Sequence, residues 1–510
     1  MVVAMAFPRR LLRILGPIAV VLLATVIVSQ LIANKGLASP WSASSRQSNA
    51  NYERVPPKYD PKRMHLLIPA TSTNHHLCQL LTTAALMGYP APVLINYGAP
   101  EDKDDYKQHL TKVAGVLDYL HSLPESEDDE LVFMIDGFDA WFQLPGNVML
   151  KRYYDTVEAG HRQNVASYGQ DVVDENGIRD TVIFGSDKVC WPGGWERPAC
   201  WAVPESRLSS KSFGPYTDQG ALEHTRPRWL NSGTIMGPVR EVRDVFEAAQ
   251  RKIEENHVTD SDQYYFGIVQ GEQSYKRRIL KMEADQAKGY DISEMELFLR
   301  PKRPEKDIPK PPKGARTEYY IGIDYESNLW QTIAYYDEYL TWVRHNISEQ
   351  YMPGVMGWDY QYPNYILPDD LVSFSRSPLS ASARPNDARN VNDDMPEELF
   401  SWSTVPLVVN TASMTIPPVV HFTGKKAYRE IWWGRSWFYP HQKSMLEALR
   451  RRGPVKTGPH RDAAAGAWTL LDKELGWVDW EDGLCQPFER KLQGLEELDP
   501  SELGFGNNWG

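Results

Sequence analysis

Cysteine is scarce in this sequence, and its spacing excludes two common ways of stabilising a small domain. Only four cysteines occur in 510 residues, namely Cys78, Cys190, Cys200 and Cys485. Four are too few for a disulfide-rich scaffold, and none lies in the C-x-x-C spacing of a zinc ribbon. The two that are close in sequence, Cys190 and Cys200, could pair if the chain enters an oxidising compartment.

Positive charge is also in short supply. The chain has 55 Lys and Arg against 67 Asp and Glu, a formal net charge of −12. A nucleic-acid partner is therefore not expected, because phosphate binding needs a basic face. Aromatic residues are plentiful, with 17 Trp and 26 Tyr. Core packing is the expected use of most of them, and stacking on sugars is the alternative.

Residues 14–33 form a 20-residue segment without a charge. At about 1.5 Å per residue, a helix of this length spans a hydrocarbon core of about 30 Å. Three arginines precede the segment and only Lys35 follows closely. The positive-inside rule then predicts a cytosolic tail at 1–13, a transmembrane signal anchor at 14–33 and a lumenal remainder.

A cleaved signal peptide, cut near residues 37–39, is the alternative interpretation of this segment. The uncharged run exceeds the usual apolar length of a signal peptide, about 7–15 residues, which favours the uncleaved anchor. Residues 34–61 are rich in Ser, Asn and Pro and are predicted to form a stem. The acceptor sequence at Asn346 is consistent with a secreted glycoprotein.

Beyond residue 62, apolar runs alternate with segments of helical periodicity. This order predicts an α/β fold with a parallel sheet and helices on both faces. The predicted strands are 64–70, 92–97, 131–135, 181–185, 235–237, 320–324 and 419–422, and the predicted helices are 75–87, 106–120 and 239–255. We expect one catalytic domain at 62–455, with an insertion at about 352–403, followed by a C-terminal extension at 456–510.

Two carboxylates follow the third predicted strand. Asp136 and Asp139 lie three residues apart, directly after the apolar run 131–135. Ligands of open α/β sheets bind outside the carboxyl ends of the strands. Paired carboxylates there suit Mn²⁺ or Mg²⁺, which can clamp a diphosphate and assist its departure. The alternative is that Asp136 caps a helix or a turn and Asp139 is solvated.

The last predicted strand, 419–422, contains His421 and is followed by Gly424, Lys425 and Lys426. An imidazole added to two carboxylates is a sensible ligand set for Mn²⁺, and the lysines could neutralise phosphate oxygens. The alternative is a structural histidine, which is the commoner role of a single His at a strand end.

Seven stretches of the chain, in order, resemble the glycosyltransferase domain of the procollagen lysyl hydroxylases and, more distantly, the procollagen galactosyltransferases. They fall within residues 64–350 and 417–440 and read IPATSTNHHLCQLLTTAALMGYPAPVL, LVFMIDGFDAWF, VIFGSDKVCWP, WLNSGTIMG, SDQYYFGIV, IGIDYESNLWQT and VVHFTGK. The resemblance implies a GT-A fold, in which an Asp-x-x-Asp motif and a late His hold Mn²⁺ on a UDP-sugar. The resemblance extends to both retaining and inverting transferases, so it does not predict whether the anomeric configuration is retained or inverted.

Residue by residue, the resemblance makes Asp136, Asp139 and His421 the metal ligands. It places further residues at the nucleotide, namely Thr71, Ser72, Lys112 and Phe138, together with the Gly424, Lys425 and Lys426 segment. Phe138 replaces a Tyr that faces the uracil. Trp191 matches a loop Trp beside the donor sugar, and Asn231 and Asp262 match residues that line the sugar and acceptor side.

An Asp near the anomeric carbon could bind donor hydroxyls or stabilise an oxocarbenium-like transition state, which is the role expected of Asp262. N-capping of a helix by the Ser261–Asp262 pair is the structural alternative. The sequence also departs from the family here, because Ser261–Asp262 directly precedes Gln263, where the family often carries a run of acidic residues, and this pair offers one carboxylate rather than two.

These observations predict a single-pass type II protein of the Golgi or endoplasmic reticulum membrane. Its expected activity is Mn²⁺-dependent transfer of a hexose, glucose or galactose, from a UDP-sugar to a hydroxyl of a protein or glycan acceptor. Two alternatives remain open. One is a catalytically inactive lumenal relative that binds a sugar nucleotide or a glycoprotein, and the other is a metal-dependent phosphoester hydrolase.

Overall fold

The short apolar runs of the sequence form neighbouring strands of one large sheet. A computed structural model of the chain describes residues 59–100, 105–256, 261–295, 309, 314–345, 367–374, 401–451 and 463–497. The predicted tail, anchor and nearly all of the stem lie outside these residues, as do Asn346 and most of the 352–403 insertion. In the part of the chain that is described, no helix has both the length and the apolar character needed to cross a membrane.

The strands within the described residues are β1 (Met64–Pro69), β2 (Val93–Ile95), β3 (Leu131–Ile135), β4 (Ala140–Phe142), β5 (Val182–Asp187), β6 (Trp229–Pro238), β7 (Ile321–Ile323), β8 (Trp330–Thr332), β9 (Leu340–Val343), β10 (Leu407–Asn410), β11 (Val419–His421), β12 (Gly466–Leu471) and β13 (Glu474–Asp479). The helices are α1 (His75–Leu86), α2 (Asp105–Ser122), α3 (Gly146–Tyr168), α4 (Gln170–Asn176), α5 (Pro198–Trp201), α6 (Val239–Asn256), α7 (Asp262–Ala287), α8 (Asp369–Phe374), α9 (Tyr428–Trp433), α10 (Gln442–Arg451) and α11 (Glu489–Leu492).

Every predicted strand and helix is present, although β6 begins at Trp229 rather than at residue 235. The central sheet has eight strands in the order β13-β12-β2-β1-β3-β6-β5-β7. The extension beyond residue 455 contributes the edge hairpin of this sheet, because β12 pairs in parallel with β2. Two smaller sheets, β4-β11-β8 and β9-β10, complete the described strands.

The expectation of a parallel sheet is wrong for part of it, and the sheet is mixed. Strands β2, β1 and β3 are parallel, but β6 runs antiparallel to both of its neighbours, β3 and β5. The edge strand β13 is antiparallel to β12 as well. An apolar run shows that a strand is buried but not in which direction it runs. The expectation of a parallel β6 came from the rule that strands joined through a helix are parallel, and β6 does not follow that rule.

Helices cover both faces of the sheet, as predicted. Along β1, Leu66 and Ile68 belong to one hydrophobic cluster with residues of α1 and α3, whereas Leu67 belongs to a second cluster with α2, α6 and α7. This alternation follows from the two-residue period of side chains along a strand. Most tryptophans beyond residue 400 are buried in the first cluster, namely Trp402, Trp432, Trp433, Trp437 and Trp480. They therefore serve packing.

All four cysteines are paired. Cys190 joins Cys200, as anticipated, and closes a short loop. The second bond, Cys78 to Cys485, was not anticipated, because its partners are 407 residues apart in sequence. It ties α1 to the segment that follows the β12–β13 hairpin.

Removing the long-range disulfide is expected to destabilise the protein more than removing the local one. A cross-link lowers the entropy of the unfolded chain, and the effect grows with the length of the closed loop. We expect Cys78→Ser with Cys485→Ser to lower the free energy of unfolding by about 4 kcal/mol, and Cys190→Ser with Cys200→Ser by about 2–3 kcal/mol. Urea unfolding of the two double variants measures both losses. An equal loss in both would contradict the expectation.

Candidate metal centre

Two carboxylates and an imidazole meet beyond the carboxyl end of β3. The ligand atoms of Asp136, Asp139 and His421 all lie within 4.8 Å of one another. His421 Nε2 is 3.4 Å from Asp139 Oδ1 and 4.0 Å from Asp136 Oδ2. The structure thus brings together the three residues predicted to bind metal.

The pairing of β4 with β11 produces this arrangement. The two strands are antiparallel, with His421 opposite Ala140. The backbone N–H of Phe422 donates to the carbonyl of Asp139 at 2.6 Å, and the N–H of Asp136 donates to the carbonyl of Gly233 at 2.9 Å. Backbone hydrogen bonds therefore hold both carboxylates and the imidazole in place.

The environment of Asp139 favours a bound cation. Burial disfavours its ionisation, but the charges of His421, Lys426 and Arg429 keep the pKa of Asp139 well below its ordinary value. Its Oδ1 atom is buried, and although His421 Nε2 lies 3.4 Å away, no hydrogen bond forms to this oxygen within the described residues. Leaving a buried polar atom unpaired costs about 1–3 kcal/mol or more. A divalent ion held by this ligand set would satisfy that atom, so the residues fit Mn²⁺ or Mg²⁺.

His421 is the most buried of the three ligands. Burial opposes its charged form, but Asp139 and then Asp136 outweigh this effect and raise the pKa of His421. Without a metal the imidazole thus tends to carry a proton between two carboxylates. A metal ion would displace that proton, because a ligating imidazole is neutral.

Gly233 leaves the space in which an ion would sit. A Cβ atom at this position would lie 2.7 Å from Asp136 Oδ2 and 2.9 Å from His421 Nε2, and it would contact His421 Cε1 more closely still. Sequence reasoning considered only Asn231 in the Asn231-Ser-Gly stretch and missed this glycine. The absent side chain keeps the space between the ligands free.

Gly233→Ala is therefore expected to weaken Mn²⁺ binding by about tenfold to 100-fold, the effect of disturbing the support of a metal site. Titration calorimetry of both proteins with Mn²⁺ measures the change. Gly434→Ala is the matched control, because Gly434 has a helical φ of −66° and no atom near its Cβ position. Equal Mn²⁺ affinities for the Gly233 variant and the control would refute the role of Gly233.

Lys112 links the metal centre to Asp262. Its Nζ atom is 3.0 Å from Asp136 Oδ1 and 2.7 Å from Asp262 Oδ2. Burial lowers the pKa of Lys112, but the two carboxylates outweigh burial and raise it. The structure thus places this predicted nucleotide contact between two predicted site carboxylates, where its charge stabilises both.

The helix cap and the site carboxylate are different residues. Ser261 is the N-cap of α7, and its side chain accepts a hydrogen bond from the backbone N–H of Tyr264. The Asp262 side chain, which is buried, contacts Lys112 instead. The capping alternative therefore applies to Ser261, and Asp262 remains available to the site.

A fourth carboxylate, missed by sequence reasoning, lies beside the predicted site residue Asn231. Asp187 is the last residue of β5, and its Oδ2 accepts hydrogen bonds from Asn231 Nδ2 at 3.1 Å and Gln263 Nε2 at 3.2 Å. Gln263 Nε2 also donates to the carbonyl of Trp191 at 2.8 Å. The signal was present in the sequence, because Asp187 follows the apolar run 181–185 much as Asp136 follows 131–135.

Asp187 is expected to make stability depend on pH. Burial raises the pKa of Asp187 to about 6, although the hydrogen bonds from Asn231 and Gln263 act to lower it. The folded protein therefore binds this proton more tightly than the unfolded chain, whose pKa is near 3.8. The ionised carboxylate costs stability above about pH 6, and the cost disappears as the pH falls towards about 4.

Asp187→Asn keeps an oxygen that accepts hydrogen bonds but cannot ionise. At about pH 8 this variant should be more stable than the wild type. The gain should be at most about 3 kcal/mol, which is the free energy of a pKa difference of about two units. The gain should fall to near zero by about pH 4. Urea unfolding in EDTA at several pH values measures it. Asp155→Asn, at an exposed carboxylate paired with Lys151, is the control and should show no such trend. A pH-independent gain for Asp187→Asn would count against the raised pKa.

The two lysines after His421 point to different partners. Lys426 Nζ is 3.5 Å from Asp139 Oδ2, whereas Lys425 Nζ is 2.7 Å from Asp337 Oδ2. Gly424, before them, has a φ of +71°, a conformation that glycine adopts without strain. Lys426 is thus the lysine of this pair beside the metal centre.

The remaining predicted residues lie around the same edge of the sheet. Thr71 and Ser72 directly follow β1, and the carbonyl of Thr71 accepts a hydrogen bond from Gly98 N–H at 2.8 Å. Phe138 lies between the two ligand carboxylates in sequence, packs against the first hydrophobic cluster, and its carbonyl accepts a hydrogen bond from Arg429. Trp191 is 40% exposed, in the loop closed by the Cys190–Cys200 bond.

Comparison with known proteins assigns no family. No protein-family model matches the chain, and no curated protein matches its sequence. The basis for a function is therefore the site itself, which combines three residues that could hold a metal ion, an adjacent lysine and a second group of polar residues around Asp187 and Asp262.

Proposed function

We propose that this protein is a metal-dependent glycosyltransferase of GT-A type that moves a hexose from a UDP-sugar to a hydroxyl acceptor. The observation that carries the proposal is the meeting of Asp136, Asp139 and His421 at the carboxyl end of β3. The likeness of seven ordered sequence stretches to the procollagen lysyl hydroxylase transferase domain supports it.

Asp136, Asp139 and His421 would hold Mn²⁺, which supplies Lewis-acid neutralisation of a nucleotide diphosphate when bound. Lys426 adds a positive charge on the same side, since its ammonium is 3.5 Å from Asp139. Its side chain is 48% exposed, so it can turn towards a phosphate oxygen. Thr71 and Ser72, after β1, are proposed to contact the nucleotide, and Phe138 the uracil ring.

The sugar is proposed to lie over the polar residues Asp187, Asn231 and Asp262, next to the candidate metal centre. Asp262 and Asp187 can accept hydrogen bonds from sugar hydroxyls, and Asn231 can donate one. Lys112 holds Asp262 at a fixed distance from Asp136 through its two ion pairs. Trp191 offers an exposed ring on which a sugar face can stack.

In the proposed transfer, the acceptor oxygen forms a bond to C1 of the sugar while the bond from C1 to the β-phosphate oxygen breaks. UDP leaves with the electrons of the broken bond, and the proton of the acceptor hydroxyl is released to solvent. The carboxylates of Asp187 and Asp262 are proposed to stabilise positive charge that develops on the sugar ring.

The proposed location is the lumen of the Golgi or endoplasmic reticulum, with the chain anchored by residues 14–33 as a type II membrane protein. Two disulfides support an oxidising compartment, because such bonds are rare in the cytosol.

The test is release of UDP from UDP-glucose, UDP-galactose and UDP-GlcNAc by the purified full-length protein with Mn²⁺. We expect turnover of one of the hexose donors, its loss in EDTA, and a decrease of about 100-fold or more for Asp136→Asn with Asp139→Asn. Asp155→Asn, at the exposed carboxylate used above, should keep wild-type turnover.

UDP release that is unchanged by EDTA and by the double variant would overturn the metal assignment. Thermal protection by UDP-sugars without turnover would instead indicate the inactive binding protein. Hydrolysis of p-nitrophenyl phosphate without UDP release would indicate a phosphoesterase.

A further inference from the structure

A second cluster of metal-ligand side chains lies at the start of α1. His75 and His76 are the first two residues of that helix, and Glu430 lies on α9. His75 Nε2 is 3.3 Å from Glu430 Oε2, and His76 Nδ1 is 3.2 Å from Glu430 Oε1. None of these residues belongs to the cluster of Asp136, Asp139 and His421.

The cluster is largely buried, and no Lys or Arg forms an ion pair with it within the described residues. The side chains of His75, His76 and Glu430 are only 2%, 11% and 16% exposed. Within the described residues, the ion pairs of Glu430 are with these two imidazoles and with no Lys or Arg. A buried carboxylate is stable only when a cation or several hydrogen bonds compensate it. A cation held between the two imidazoles and the carboxylate would supply that compensation.

We propose that His75, His76 and Glu430 bind a zinc ion. Two imidazoles and one carboxylate form a ligand set used by zinc, with a fourth position for water. Bonds of about 2.05 Å in a tetrahedral site separate neighbouring ligand atoms by about 3.3 Å. The two imidazole-to-carboxylate distances, 3.3 and 3.2 Å, are close to that separation.

Gln79 contacts both Glu430 and His76, whose Nδ1 lies 3.3 Å from Gln79 Oε1. This residue is fully buried on α1, one turn after His75 and His76. Its Nε2 lies 3.2 Å from Glu430 Oε1 and 3.5 Å from Glu430 Oε2. Hydrogen bonds of this kind orient a ligating carboxylate.

The His75 ring is aimed at the same carboxylate. Its Nδ1 atom is buried and has no hydrogen-bond partner in the described part of the chain. The polar contact that orients the ring is therefore the one from Nε2 to Glu430.

The competing explanation is a metal-free cluster in which protons on the imidazoles bridge to Glu430. Burial raises the pKa of Glu430, but hydrogen bonds from His75 and His76 outweigh burial and lower it to about 2. The carboxylate is thus ionised under either explanation. Zinc content distinguishes them.

The bound zinc would join two segments that border the candidate metal centre. Helix α1 follows the loop with Thr71 and Ser72, and α9 follows the loop with Lys425 and Lys426. Zinc would cross-link the two helices that follow these loops. It would thereby fix the position of one loop relative to the other. Its presence does not depend on the proposed glycosyl transfer.

The test is zinc content of the full-length protein after loading with zinc chloride and dialysis against metal-free buffer, measured by inductively coupled plasma mass spectrometry. We expect about one zinc per chain, bound through three protein ligands. Glu430→Gln keeps the shape of the ligand but not its charge, and should lose at least about 90% of the zinc, a tenfold drop in affinity or more.

Three further variants keep the test decisive. His76→Gln should lose zinc as Glu430→Gln does, which covers the case in which one variant fails to fold. His121→Gln removes an exposed histidine paired with Glu247 and should keep all of the zinc. Asp136→Asn with Asp139→Asn should also keep it, which separates this site from the one used in the proposed transfer.

Absence of zinc from the loaded wild type would overturn the proposal in favour of the proton-bridged cluster. Full zinc content in both the Glu430 and His76 variants would overturn it as well. Loss of zinc in the Asp136 and Asp139 variant alone would assign the ion to the other centre.

Discussion

The antiparallel pairing of β4 with β11 is the constraint on which the rest of the candidate site depends. It sets His421 opposite Ala140, so that the imidazole lies beside Asp139. The same pairing leads the chain into the loop that carries Lys426 towards the centre. Because backbone hydrogen bonds fix this register, a shift by one residue would turn His421 to the other face of the small sheet.

Charge compensation is the second constraint, since several ionisable groups are buried at this edge. Lys112 lies between Asp136 and Asp262, and Lys426 lies beside Asp139. Asp136, Asp139 and Asp262 thus each have a cationic neighbour, which offsets the cost of placing a negative charge at this edge. Asp187 differs, because it has hydrogen bonds from amides and a pKa raised to about 6. The site therefore contains carboxylates with different protonation behaviour.

Much of the fold was predictable, and the exceptions have a common cause. The strands 64–69 and 131–135 and the helix that begins at His75 follow from local periodicity, which one segment carries by itself. The direction of β6 and the attachment of the β12–β13 hairpin beside β2 depend on pairing between distant segments. The Cys78–Cys485 bond follows from that attachment, since it joins α1 to the residues after the hairpin.

The same division applies to the candidate site. The sequence by itself determined which ligand types follow buried strands, because an apolar run that ends in Asp136 or His421 marks the end of a strand. Only the tertiary structure decided that Gly233 borders the space between Asp136 and His421, that Lys426 rather than Lys425 is near Asp139, and that Asp187 accepts a hydrogen bond from Asn231. Those relations are distances between residues remote in sequence, and they are set by strand register and packing, which a local pattern does not encode.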